Sequence, residues 1–129
     1  MIGGKMPMIP DVAMGMVDVR DVARLHVTAL TAPRATGQRF IASTSNPIEM
    51  AAVAAILKQA GYAKVPSRKA PNVVVRLMSL FDRQAKGMLP LLGKKVAFDT
   101  TATFDVLDWQ PTPMETSFKE MAASLPDLR

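Results

Sequence analysis

Few side chains in this sequence are suited to acid–base or nucleophilic chemistry. There is one histidine, His26, one tyrosine, Tyr62, and no cysteine. A catalytic triad needs a serine and a carboxylate converging on the imidazole. His26 instead lies between Leu25 and Val27 on a stretch patterned as helix, where a structural histidine is the simpler reading. Without cysteine there are no disulfides, thiolate metal sites or cysteine nucleophile, and a lone histidine removes the familiar zinc constellations. Asp18, Arg20 and Asp21 form a compact charged group, which fits helix capping and a local ion pair better than general acid–base work. Met6, Met8, Met14 and Met16 crowd the start of the chain. Their flexible, polarizable side chains suit an adaptable apolar pocket wall or ordinary loop packing.

With 129 residues, 49% hydrophobic and 21% charged, the chain can fold as one compact domain with a core. The formal charge of +5 is spread over single or paired basic residues such as Arg68-Lys69 and Lys94-Lys95, and aromatics make up only 5%. Nucleic-acid binding needs a concentrated basic stripe and stacking platforms, so no nucleic-acid partner is expected. No apolar run reaches the roughly 18 residues of a membrane span. The stretch from Met1 to Pro10, with its prolines and single lysine, is not a signal peptide. The absence of cysteine fits a reducing cytoplasm.

The elements that would position these residues follow from local patterning, and the sum is a helix-rich α/β fold. Residues 1–14 read as loop and Gly15–Val19 as a short strand. Asp18 or Arg20-Asp21 opens a helix through Leu30, with Asp18 well placed as its cap, Asp21 in an acidic version of the capping box, and Val22, Leu25, Ala29 and Leu30 on one side. Gln38–Ser43 is the best strand. Asn46, Pro47 and Glu49 carry cap, first-turn and back-bonding signals for a second helix. Its buried face is Met50, Val53, Ala54, Ile56 and Leu57, and Gly61 stops it. Pro71 starts a helix from Asn72 towards Lys86, residues 95–99 read as a strand, and Thr100 or Thr101 caps a short helix to Leu107. Thr112-Pro113-Met114-Glu115 opens a last helix to about Leu125. Two or three strands do not make a doubly wound sheet, and a strand such as QRFIAS needs neighbours and covering helices. The pattern therefore points to part of something larger.

Val17-Asp18-Val19-Arg20-Asp21-Val22-Ala23, followed by His26, resembles the extended short-chain dehydrogenases/reductases, in particular dihydroflavonol reductases and bacterial aldehyde or ketone reductases. Later pieces agree in order: Gly37-Gln38-Arg39-Phe40-Ile41, Val65-Pro66 with Arg68-Lys69-Ala70-Pro71, Leu80-Phe81-Asp82, Leu92-Gly93-Lys94, and Leu107-Asp108-Trp109-Gln110-Pro111. The resemblance implies that residues 1–45 are the last edge of a Rossmann sheet and residues 46–129 a small helical substrate-binding lobe, the two forming one compact unit. The glycine fingerprint of a dinucleotide site is missing, since Gly3-Gly4 does not satisfy it. The family's Tyr/Lys pair, four residues apart on a helix, is missing too: Pro66 stands four places after Tyr62, and Lys64 is at the wrong spacing. No catalytic, cofactor-binding or metal residue is carried over, and NAD(P) is implied only for a complete protein.

The resemblance also implies that the segment before VDVRDVA borders the substrate. Nucleotide-sugar members tend to place an arginine near Met14; methionine cannot hold a diphosphate, so a small apolar aldehyde or ketone is the implied substrate. The expected substrate-lining residues are Met8, Met14, Gly15, Met16, Leu77 and Phe81. The apolar stretch 73–81 either covers the substrate cleft or lies on a membrane. Its thin polar face, with Arg76, Asp82 and Arg83 of mixed sign, makes burial against protein the expectation, with no membrane partner. The expected partner is the absent Rossmann half or a second copy; a stand-alone self-associating or partner-binding module built on the same lobe is the alternative.

Overall fold

Local capping and a few long-range carboxylate contacts shape how the chain is laid out. The computed structural model describes residues 1–3 and 7–125; Met6, with Gly4, Lys5 and residues 126–129, lies outside them. The order is β1 (Ala13–Met14), α1 (Val19–Thr31), β2 (Ile48–Glu49), α2 (Met50–Gln59), α3 (Asn72–Met78), α4 (Arg83–Met88), a 3-10 turn (Leu89–Leu91), α5 (Thr101–Leu107) and α6 (Met114–Ala123). The fold is helix-rich α/β, with β1 and β2 paired antiparallel, Ala13 opposite Glu49 and Met14 opposite Ile48. One parallel bridge joins Ile9 to Lys69.

Helix α1 begins where its cap predicts. The Asp18 carboxylate accepts the Arg20 N–H at 2.8 Å and holds the Arg20 guanidinium at 2.7 Å. Arg20 also reaches Glu120 on α6 at 2.7 Å. Asp21 does not complete a capping box, because it turns inwards. It is fully buried, and its oxygens accept the Thr112 N–H at 2.7 Å and the Thr112 hydroxyl at 2.9 Å, with Arg24 beside them. A buried carboxylate is tolerable only when paired and hydrogen-bonded in this way.

Two apolar clusters flank this link. One gathers Ile2, Ile9, Val53, Ala54, Leu57, Tyr62, Val65, Phe118 and Ala122, so α2 packs on α6. The other gathers Leu25, Ala35, Leu107 and Trp109 between α1 and α5. Gly61, at φ 94°, ends α2 in the left-handed region as expected. The outer face of α1 is also apolar: Val19, Ala23, Val27 and Leu30 are exposed, Leu30 by 87%. Leu30 therefore does not join Leu25 on the buried side.

Several expected elements differ. Gly15–Val19 forms no strand: residues 15–18 are coil, Val19 opens α1, and the strand lies just before them at Ala13–Met14. Gln38–Ser43 forms no strand; the Ile41 N–H and carbonyl are both met by the Thr103 hydroxyl, at 3.1 and 2.9 Å, rather than by a ladder. Residues 95–99 are coil apart from one bond, Phe98 N–H to the Ser45 carbonyl at 3.0 Å. Helix α2 starts at Met50 rather than behind Asn46, because Ile48 and Glu49 are drawn into pairing with β1. Glu49 is held there by Lys95 at 2.5 Å and Lys69 at 3.8 Å. The expected helix from Asn72 to Lys86 breaks between Met78 and Arg83. Thr112 does not cap α6, since its hydroxyl is engaged by Asp21, and Pro113 occupies the cap position.

Replacing Asp21 with Ala leaves the part-buried Thr112 N–H without its acceptor; we expect a loss of roughly 1–3 kcal/mol, measured as a shift in urea unfolding, with clear non-additivity against Thr112→Val. The Arg20 guanidinium, then Ser117, hold the Asp18 carboxyl well below its ordinary value of 3.8. A depressed acid stabilises the fold above its unfolded value and loses that contribution as pH falls. Stability should therefore decline below about pH 4, and Asp18→Asn should flatten that decline.

Candidate functional site

Where α1, the 43–46 loop and the start of α6 approach one another, the chain leaves a cavity of ≈ 410 Å³. Its walls are Met16, Val17, Phe104, Trp109, Pro111 and Met114, and its polar groups come from Asp21, Ser43, Thr44, Ser45, Asn46 and Thr112. Mostly apolar walls with a few convergent polar groups, at this size, are the usual make-up of a small-molecule site.

Short backbone contacts fix the walls. Thr44 N–H donates to the Met16 carbonyl at 2.8 Å, and Met16 N–H donates to Thr44 Oγ1 at 3.2 Å. The Ser45 and Thr100 hydroxyls share a bond of 2.6 Å. Opposite, Trp109 and Phe104 pack with ring centroids 5.1 Å apart and planes tilted by 37°. Trp109 is buried, and its indole nitrogen has no hydrogen-bond partner among the described residues. Asp108, at φ 46°, ends α5 in the left-handed region just before Trp109, a conformation that aspartate tolerates better than most residues.

Gly15 is the tightest point near the site. A Cβ there would fall on Ser43 Oγ and 2.6–2.8 Å from the Phe98 ring. The glycine is therefore required by close approach rather than by backbone angle.

Comparison with protein-family models, curated proteins and solved structures finds no match to this chain. The site rests on its own geometry.

Of the residues expected to border a substrate, Met16 lines this cavity. Gly15 lies next to it, against Ser43 and Phe98. Met14 is exposed and paired in β1, and Met8 is half-buried. Leu77 and Phe81 lie on the α3 helix and the turn after it, exposed by 59% and 93%, and do not line the cavity. Sequence reasoning missed Phe104, Trp109, Met114 and the 43–46 hydroxyls. No local pattern marks them, since they lie in stretches brought together only by the fold.

The other chemical candidates stay apart from the cavity. His26 is exposed on α1, its Nδ1 2.7 Å from the Val22 carbonyl, the ordinary helical arrangement. Tyr62 is buried in the α2–α6 cluster. Among the described residues no group of three or more His, Asp or Glu is placed to hold a metal ion, and no helix is long and apolar enough to cross a membrane.

Gly15→Ala should cost roughly 1–3 kcal/mol through overpacking. Gly87→Ala, inside α4 with nothing within 4 Å of the added carbon, should instead add up to about 1 kcal/mol. Thermal unfolding of the two variants side by side checks the contrast.

Proposed function

We propose that this chain is the substrate-side part of an NAD(P)-dependent oxidoreductase of the extended short-chain type. Its lobe holds a small or medium apolar aldehyde or ketone, and it is not catalytic by itself. In a complete protein a Rossmann half would supply the dinucleotide and the Tyr/Lys pair. The supporting observation is the position of Met16. It ends the segment that the family resemblance sets beside the substrate, and it lines a mostly apolar cavity with Phe104, Trp109 and Met114.

The cavity chemistry suits such a ligand. Apolar walls favour a hydrocarbon chain, while Ser45 and Asn46 bring polar groups able to meet a carbonyl oxygen. The lining includes no lysine or arginine, so a diphosphate would lack its usual partner. The resemblance sets the QRFIAS stretch and α1 on a sheet edge. Their exposed apolar residues, Ile41, Val19, Val27 and Leu30, are what an absent half, or a second copy, would cover. A reducing cytoplasm remains the fitting compartment for a cysteine-free chain.

The sole tryptophan stands in the cavity wall and reports on occupancy. Titrating the chain with 2-octanone should change its fluorescence saturably, and Met16→Asn should weaken that binding about tenfold. NADPH alone should give no saturable binding. Micromolar NADPH affinity, or a fluorescence indifferent to the ketone, would contradict the reading.

A further inference from the structure

We infer that the tip formed by α3, α4 and the turn between them is a peripheral docking site for an anionic lipid surface. The sequence pattern favours burial of residues 73–81 against protein, yet the structure buries only one side of them. Val75 and Ala85 anchor the pair of helices from beneath, at 5% and 4% exposure. Val73 and Leu77 share the opposite face of α3 and stand in solvent. The break between Met78 and Arg83 then turns Leu80 and Phe81 outwards, exposed by 73% and 93%. Val73, Leu77, Leu80 and Phe81 stand at i, i+4, i+7 and i+8, one face of a helix, and all four remain exposed across the break.

Charge identifies the occupant. Residues 72–95 carry five basic side chains (Arg76, Arg83, Lys86, Lys94, Lys95) and one acidic one, Asp82, a net +4. The whole chain is +5, so the remaining residues contribute only +1. Lys95 is spent on Glu49, whereas Arg76, Arg83 and Lys86 are exposed on the helices themselves. Arg83 and Lys86, with Asp82 between the helices, line an open depression of ≈ 460 Å³ together with Leu80 and Phe81. Cations beside protruding Leu and Phe match a leaflet that offers phosphate at its surface and hydrocarbon just below. A protein-binding core is instead typically depleted in lysine and centred on recessed pockets. The mixed sign that argued against a membrane comes from Asp82, against which Arg76, Arg83 and Lys86 stand exposed on the two helices.

Vesicle co-sedimentation of the full chain tests this. Vesicles of phosphatidylcholine with roughly 30 mol % phosphatidylserine should retain the protein, and vesicles of phosphatidylcholine alone should not. Phe81→Ser, at a position too exposed to disturb the fold, should lower partitioning about tenfold. Lys86→Ala should lower it about fivefold, the equivalent of about 1 kcal/mol per basic residue near the leaflet, and high salt should weaken all binding. Equal retention by both vesicle types, no retention by either, or indifference to Phe81→Ser overturns the proposal. So does sedimentation equilibrium showing a dimer that Phe81→Ser dissolves, together with no vesicle binding; the tip would then be a contact between copies.

Discussion

The arrangement of this chain depends on one buried carboxylate. Asp21 has no exposed surface, so its oxygens must find donors inside the protein. They find them at Thr112, 91 residues further along. Pro111 and Pro113 on either side lack an N–H, so the Thr112 amide is the sole backbone donor of that run and its partner is determined. Once Thr112 lies on α1, α6 must begin at Met114, and Phe118 and Ala122 reach the α2 cluster. The Arg20 bridge to Glu120 runs in the same direction. Closing a loop of this length costs entropy, which the two clusters flanking the link offset by burial.

The cavity follows from the same constraint. Thr112 holds Pro111 and Met114 above α1, Met16 and Val17 lead into α1 from below, and the Met16–Thr44 bonds set the 43–46 loop across the opening. Trp109 and Phe104 close the remaining side from the end of α5. The lining thus comes from three stretches of chain far apart in sequence, 16–21, 43–46 and 104–114, and no local pattern marks them as neighbours. This is why the methionines before α1 were readable as pocket candidates while their aromatic counterparts were not.

Legibility followed the range of the interaction. Features decided within a turn of backbone were readable: the Asp18 cap of α1 and the Gly61 stop of α2 stand where capping rules place them, and the short helix after Thr100 starts where expected, although the Thr100 hydroxyl bonds Ser45 and does not cap it. Strands were not, because a strand exists only with a partner. Gln38–Ser43 has the composition of one, but its Ile41 is satisfied by a threonine hydroxyl, and pairing went instead to Ala13–Met14 and Ile48–Glu49, displacing the expected start of α2. Helix 72–86 failed for a third reason. Its apolar residues cover most of the circumference, so periodicity gave no preferred face and no sign of the break.

The two apolar surfaces left open differ in kind, and that difference bears on what covers them. Along α1, Val19, Ala23, Val27 and Leu30 form a stripe opposite Leu25, so the helix is apolar on both sides, as helices buried on two faces are. The QRFIAS stretch packs on the other side of α1, where Phe40 and Ala42 meet the Leu25 cluster, and runs without a ladder, its Ile41 satisfied by Thr103. A neutral apolar helix face of this kind is suited to a protein neighbour that packs against it. The α3–α4 tip offers no unpaired extended backbone among its residues; it offers side chains, apolar at the apex and cationic around it. A sheet neighbour gains little from such a tip, since the cations would have to be desolvated against it. An anionic interface keeps them hydrated and paired while the apex enters hydrocarbon. The leaflet proposed for the tip and the protein neighbour proposed for α1 therefore call on different surfaces of the molecule.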